Sequence, residues 1–275
     1  MTPAIVLTVL AAALLHAVWN AMIKGSGDKT VMLGLIALGH VVPGVAMAFL
    51  FPAPALEAVP YIIASTVIHW GYYYFLSAAY KFGDLSFVYP IARGTTPVMI
   101  AMGATIWADE YLSWQAWGGI LIVSLGIITL VIKRSGFSGP ALLAAVITSF
   151  TIAAYSIVDG IGIRLSGSPL GYIAWLFVAE FIVFAFVGLR FGTRMRALTR
   201  RIGLIGICGG VLSGAAYGLV LYAKMFAPLG IVSALRETSV VFAALIGVIW
   251  LHERPVFRRL FASVIVAFGI IVISL

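Results

Sequence analysis

The chain has 275 residues, of which 63% are hydrophobic and only 9% charged, with 17 Lys and Arg against 9 Asp and Glu. A soluble domain carries roughly 25% charged residues, and this chain has too little interior to hide so many apolar runs from water, so its solvent is lipid. The basic excess does not imply nucleic acid, because in a membrane protein it marks the loops retained on the cytoplasmic side.

A spanning helix needs about 20 mostly apolar residues. The sequence predicts ten, at 3–23, 31–51, 59–80, 85–106, 113–132, 140–160, 169–189, 202–223, 230–251 and 257–274. A β-barrel is excluded because barrel strands alternate at period two, whereas these runs are continuous. Span 1 starts at Thr2-Pro3 without a basic leader, so no cleavable signal peptide is expected. It carries His16, Trp19 and Asn20. Span 2 carries His40, and span 3 carries His69 and the run Tyr72, Tyr73 and Tyr74. Arg93 lies inside span 4. Span 6 holds Tyr155, Ser156 and Asp159, and span 7 holds a solitary Glu180. Span 8 has Gly206, Gly210, Gly214 and Gly218 at four-residue spacing, a smooth face for close helix packing, together with Tyr217. Its Cys208 is the single cysteine, which excludes an intramolecular disulfide. Span 9 carries Arg236 and Glu237.

The loops are short and polar, as turns require. Those after odd-numbered spans hold nearly all the Lys and Arg, and those after even-numbered spans hold only Arg164 and Lys224. The positive-inside rule then places the odd loops in the cytoplasm and both termini in the periplasm, with the chain in the inner membrane.

Shifted by 143 residues, the sequence matches itself without a gap from span 3 into span 5. Gly71 meets Gly214, Tyr74 meets Tyr217, Lys81 meets Lys224, Arg93 meets Arg236, Trp107 meets Trp250 and Glu110 meets Glu253. Biased composition supplies apolar matches by chance, but not Lys, Arg, Trp and Glu at one offset. The reading is two five-helix repeats, 1–135 and 136–275, within one membrane domain. An odd number of spans inverts the second repeat, the architecture of alternating-access carriers with a central cavity.

The blocks Tyr89-Pro90-Ile91-Ala92-Arg93-Gly94-Thr95-Thr96-Pro97-Val98 and Trp107-Ala108-Asp109-Glu110 resemble the fourth and fifth helices of EamA-like proteins of the drug/metabolite transporter superfamily. So do Ser233-Ala234-Leu235-Arg236-Glu237-Thr238 and Trp250-Leu251-His252-Glu253-Arg254-Pro255 in the second half, and Leu15-His16-Ala17-Val18-Trp19-Asn20 in the first helix. The resemblance implies a secondary transporter and leaves the substrate open. Val240 stands where the first half has Pro97, so span 9 is expected to bend differently from span 4.

A charge at lipid depth costs at least about 2.5–3.5 kcal/mol unless it faces water or a partner. Arg93 and Arg236 read as a guanidinium pair for a carboxylate, phosphate or phosphonate, or as members of structural ion pairs with Glu237 or Glu180. Helix neighbours do not face each other, so Glu237 reads as a receiver of a substrate amine or as a lock on another helix. His16, His69, Trp19, Asn20, Tyr73, Tyr74, Tyr155 and Tyr217 are candidates for the cavity wall. Glu180 and Asp159 are candidates for proton coupling, and Glu110, Glu253, Gly210 and Gly214 for structural roles. No His-Glu-x-x-His, Gly-x-Ser-x-Gly or phosphate-binding loop occurs, so no catalytic residue, metal or cofactor is expected and the chain does not read as an enzyme. The expected function is movement of a small organic anion or zwitterion, such as an amino acid or phosphonate, by alternating access with proton coupling as one mechanism. Export of cationic or amphiphilic drug-like compounds, a channel and a non-transporting membrane protein are the alternatives. The expected partners are a small-molecule substrate and the lipid bilayer, with no nucleic acid, and the protein is a monomer or homodimer.

Overall fold

The computed structural model describes residues 1–24, 27–82, 85–131, 138–249 and 256–274. Glu253, Trp250 and the boundary between the two halves at 135 and 136 lie outside the described residues.

Among the described residues the chain is all α-helix with short 3-10 turns. The helices are α1 (Pro3–Ile23), α2 (Lys29–Leu50), α3 (Val59–Phe82), α4 (Leu85–Trp107), α5 (Trp114–Ile128), α6 (Gly139–Leu165), α7 (Pro169–Ala179), α8 (Phe181–Arg196), α9 (Arg200–Ala223), α10 (Leu229–Arg236), α11 (Ser239–Ile249) and α12 (Val256–Ser274). The pairs α7–α8 and α10–α11 are each one broken span, so these helices fill the ten expected spans. Among the described residues, seven stretches are long and apolar enough to cross a bilayer. Trp114 is 93% and Leu189 90% exposed, a surface that suits acyl chains and not water.

Helix starts follow local chemistry. Asp28 caps α2 by accepting from the N–H groups of Thr30 and Val31, Ser168 caps α7 through Gly171, and Pro3, Pro140 and Pro169 sit in first turns, where proline has no N–H to waste. Slight burial pushes the Asp28 carboxyl up, but Arg194 and the Val31 and Thr30 amides outweigh it and hold the group below its usual range.

The loops alternate between two faces. On one, Ser168 donates to the Pro52 carbonyl at 2.7 Å, Ala55 N–H donates to Ser166 O at 2.8 Å, and Arg164 reaches the carbonyls of Lys224 and Ala227. This gathers the even loops. On the other face Arg194 pairs with Asp28, joining two odd loops. The principal helix contacts all cross between the halves: α5 packs on α12, α3 and α4 on α6, α1 on α9, and α2 on α7, α8 and α9. The halves therefore share one interior.

The crossing of α2 and α9 explains the glycine series. A methyl group on Gly210 would meet the Ile36 carbonyl oxygen and, at 2.8 Å, the Cα of Gly39, while Gly214 packs near His40 and Phe177. Backbone touches backbone at Gly39 and Gly210. Gly210→Ala and Gly39→Ala are each expected to cost about 1–3 kcal/mol, as overpacking does, seen as a lower melting temperature in detergent. Gly118→Ala, with nothing within 4 Å, should leave it unchanged. Equal losses at all three positions would contradict this packing.

Candidate functional site

A cavity with about 80 Å³ open to water lies between the halves. One water needs roughly 10–15 Å³ on this measure, so there is room for several waters or a small polar solute. Helix periodicity builds its wall. His16, Trp19 and Asn20 share one face of α1, Tyr89 and Arg93 one face of α4, and Thr148, Ile152 and Tyr155 one face of α6, because residues three, four and seven apart line up. Tyr72 and Arg236 complete the wall. The Trp19 indole N–H donates to His16 Nδ1 at 3.3 Å, and Asn20 donates to the His16 carbonyl at 2.8 Å.

Arg93 and Arg236 do not act as two free guanidinium groups. Arg93 pairs with Glu237 at 2.9 Å across the two halves, and the two side chains are 6% and 1% exposed. At the end of α10 the amides of Glu237 and Thr238 bond to Ala234 and Leu235, three residues back. This 3-10 tightening separates α10 from α11 and carries Glu237 toward α4, while Arg236 stays on the cavity wall. Arg236 has its guanidinium carbon 5.8 Å from the Tyr217 ring centroid, and among the described residues no carboxylate forms an ion pair with it. Glu237 thus takes the ion-pair alternative, with Arg93 as its partner, although its Oε2 and the Arg93 Nε have no hydrogen-bond partner. Span 9 breaks here without a proline, whereas α4 runs unbroken through Pro90 and Pro97.

Behind the wall lies a second row of rings. His69 stacks on Tyr155 at 3.9 Å, Tyr217 meets Tyr155 edge-on at 6.1 Å, and Tyr73 lies 6.4 Å from His69. Tyr73 also approaches Glu180. Tyr74 does not belong to the site: it is 71% exposed and points outward, because three consecutive helical residues fan through about 200°.

Toward the even-loop face the interior is filled by paired polar side chains. Helix α6 runs five residues beyond its expected end, so Asp159 is not interfacial. It is fully buried and accepts hydrogen bonds from Tyr172 at 2.9 Å and from Tyr217. Lys224, read from sequence as a loop residue, is also fully buried and donates to the carbonyl and hydroxyl of Ser156 at 2.8 and 2.7 Å. Glu110 pairs with Arg164 at 2.7 Å and accepts the Leu229 N–H at 2.7 Å, capping α10 with an anion at its positive end.

Sequence reasoning missed Tyr89, Thr148, Ile152 and Tyr172. Tyr89 and Thr148 were detectable, since each lies one or two turns from a residue already suspected. Tyr172 gave no signal within its apolar run.

Removing one partner of a buried ion pair leaves the other uncompensated, at a cost of about 3–5 kcal/mol. Arg93→Gln and Glu237→Gln should each destabilise by that order, and the double variant should recover most of the loss in a thermal-unfolding double-mutant cycle. Additive losses would refute the pairing.

The second half of the chain, residues 139–275, matches the model of the EamA-like transporter family. No curated protein matches the sequence. One solved crystal structure, 18% identical, covers 99% of this chain and 96% of its own with a TM-score of 0.80, which establishes a shared fold. Transporters, not enzymes, make up the matched family. With its all-helical multi-pass fold, the chain belongs to the EamA-like transporter family of the drug/metabolite transporter superfamily.

Proposed function

We propose that this protein is a secondary transporter of small organic anions, and that Arg236 receives the anionic group. The observation that carries the reading is the charge balance of the cavity. Arg93 is neutralised by Glu237, whereas Arg236 lines the cavity beside the Tyr217 ring and, among the described residues, forms no ion pair with a carboxylate. Its planar fork suits a carboxylate, phosphonate or sulfonate, and the hydroxyls and imidazole around it offer further hydrogen bonds. A zwitterion is the second reading, favoured by the Trp19, Tyr72, Tyr89 and Tyr155 rings in the same wall, which can receive an ammonium by cation–π attraction. Cationic drugs fit worse, because Glu237 already has its cation.

Alternating access supplies the mechanism. The cavity lies toward the odd-loop face: His16 to Asn20 fall in the last turns of α1, and Arg93 two turns into α4. The even-loop side is closed by Asp159 with its tyrosines, Lys224 with Ser156, and Glu110 with Arg164. With the odd loops cytoplasmic and the termini periplasmic, this is an inward-facing state of an inner-membrane carrier. The two halves, 1–135 and 136–275, then act as inverted repeats that rock about the cavity. The pairing of α3 with α6 and of α1 with α9 supports this, since an exchange of repeats turns one pair into the other.

Ligand binding to the folded state raises apparent stability by mass action. A thermal-shift panel of small carboxylates, phosphonates, sulfonates, amino acids and organic cations is expected to yield stabilising anions. Losing a charge-assisted hydrogen bond costs about 1.5–3 kcal/mol, so Arg236→Gln should weaken binding at least tenfold while the free protein melts as wild type does. Stabilisation by cations that survives Arg236→Gln would overturn the proposal.

A further inference from the structure

We infer that Glu180 is the proton-binding carboxyl of this transporter and that the break between α7 and α8 is the hinge its charge controls. The inference rests on the transport reading above and adds the coupling ion and its site.

Glu180 sits in the middle of an apolar span, is 9% exposed, and its Oε2 has no hydrogen-bond partner. The helix breaks at this residue. The Glu180 amide bonds to Phe177 O at 3.2 Å and the Val183 amide to Glu180 O at 3.0 Å, both three residues back, and the path contains neither glycine nor proline to impose it. A mid-helix stretch of this kind marks a hinge.

Each of the other buried carboxylates among the described residues has either a charged partner or a hydrogen bond on both oxygens. Asp159 takes a tyrosine hydroxyl on each oxygen, and Glu237 has Arg93. Among the described residues no Lys or Arg forms an ion pair with Glu180. The titratable groups on the helices packed around the broken span include His40 of α2, which stacks on Phe177 at 5.2 Å, His69 and Tyr73 of α3, Tyr155 and Asp159 of α6, and Tyr217 and Lys224 of α9. Tyr73 hydrogen-bonds the carboxyl and Asp159 is near enough to repel its charge; the Tyr73 ring lies 5.4 Å from that of Tyr72, which lines the cavity. A proton from cavity water thus has a hydroxyl-lined approach to Glu180 Oε2, forms the O–H there, and returns to water when the opposite face opens. A single free carboxylate oxygen suits a proton; a metal cation needs several oxygen ligands, and among the described residues no group of three or more His, Cys, Asp or Glu side chains is placed to hold one. Charging an unpaired carboxyl at lipid depth is costly, and loosening the α7–α8 junction to admit water offsets that cost.

The test is an infrared titration of the purified protein in liposomes, in sodium-free and sodium-containing buffer. The wild type should show a protonated-carboxyl stretching band that titrates identically in both buffers. The band should vanish in Glu180→Gln, persist in Asp159→Asn, and change frequency in Tyr73→Phe, a variant that carries the test even if Glu180→Gln does not fold. Hydrogen exchange at residues 176–184, corrected for intrinsic chemistry, should rise with pH in the wild type and stay flat in Glu180→Gln. A band that survives Glu180→Gln, a band abolished by sodium, or the same pH response in both proteins would overturn the inference. No transported solute enters these measurements, so they stand or fall separately from the anion panel.

Discussion

A charge buried at the depth of the acyl chains must be matched there, and the interior of this protein is organised around that requirement. Arg93 finds Glu237 across the halves, Asp159 finds two tyrosine hydroxyls, and Lys224 finds both oxygens of Ser156. Each match ties together helices that are distant in sequence. Those ties position the cavity, because α4, α6, α9 and α10 meet through them. Arg236 on the cavity wall and Glu180 at a helix break stand out because, among the described residues, neither has an ion-pair partner. A folded membrane protein gains nothing by leaving a buried ionisable group without a partner, so an unmatched one points to a partner that comes and goes.

The two broken spans follow the same logic. Both breaks, at Glu180 and at Glu237–Thr238, fall on a buried carboxylate, and both use 3-10 hydrogen bonds. Proline is absent from both, whereas α2 carries Pro43 and α4 carries Pro90 and Pro97 without interruption. What bends the second-half spans is the side chain that must be turned toward its surroundings. At Glu237 that turn separates two neighbours, so that one arginine-carboxylate pair is consumed inside the wall while the adjacent arginine stays open to the cavity.

Much of this was legible in the sequence. Long apolar runs with short charged loops specify an all-helical membrane protein, and Arg93 and Arg236 stood out as charges inside spans. His16, Trp19, Asn20 and Tyr155 were wall candidates as polar or aromatic side chains inside spans, and all four line the cavity. The rest was hidden because helix rotation and pairing are set by tertiary packing. The sequence left open whether Glu237 would pair with Arg93 or with a substrate amine, because only packing decides which helix it faces. Tyr72, Tyr73 and Tyr74 looked equivalent, yet one lines the cavity, one approaches Glu180 and one faces outward. Lys224 was assigned to a loop, but α9 brings it into the fully buried interior, as α6 does Asp159.

The central claim is that the cavity carries an anion by engaging Arg236 from alternate sides. Entrance counterflow tests it most directly, because it reports exchange through a carrier whatever ion is coupled. Liposomes loaded with an unlabelled small carboxylate or sulfonate would be diluted into the labelled compound. The account predicts transient accumulation of label that saturates with concentration and disappears with Arg236→Gln. Uptake that rises linearly with concentration, or that is indifferent to Arg236→Gln, would contradict it.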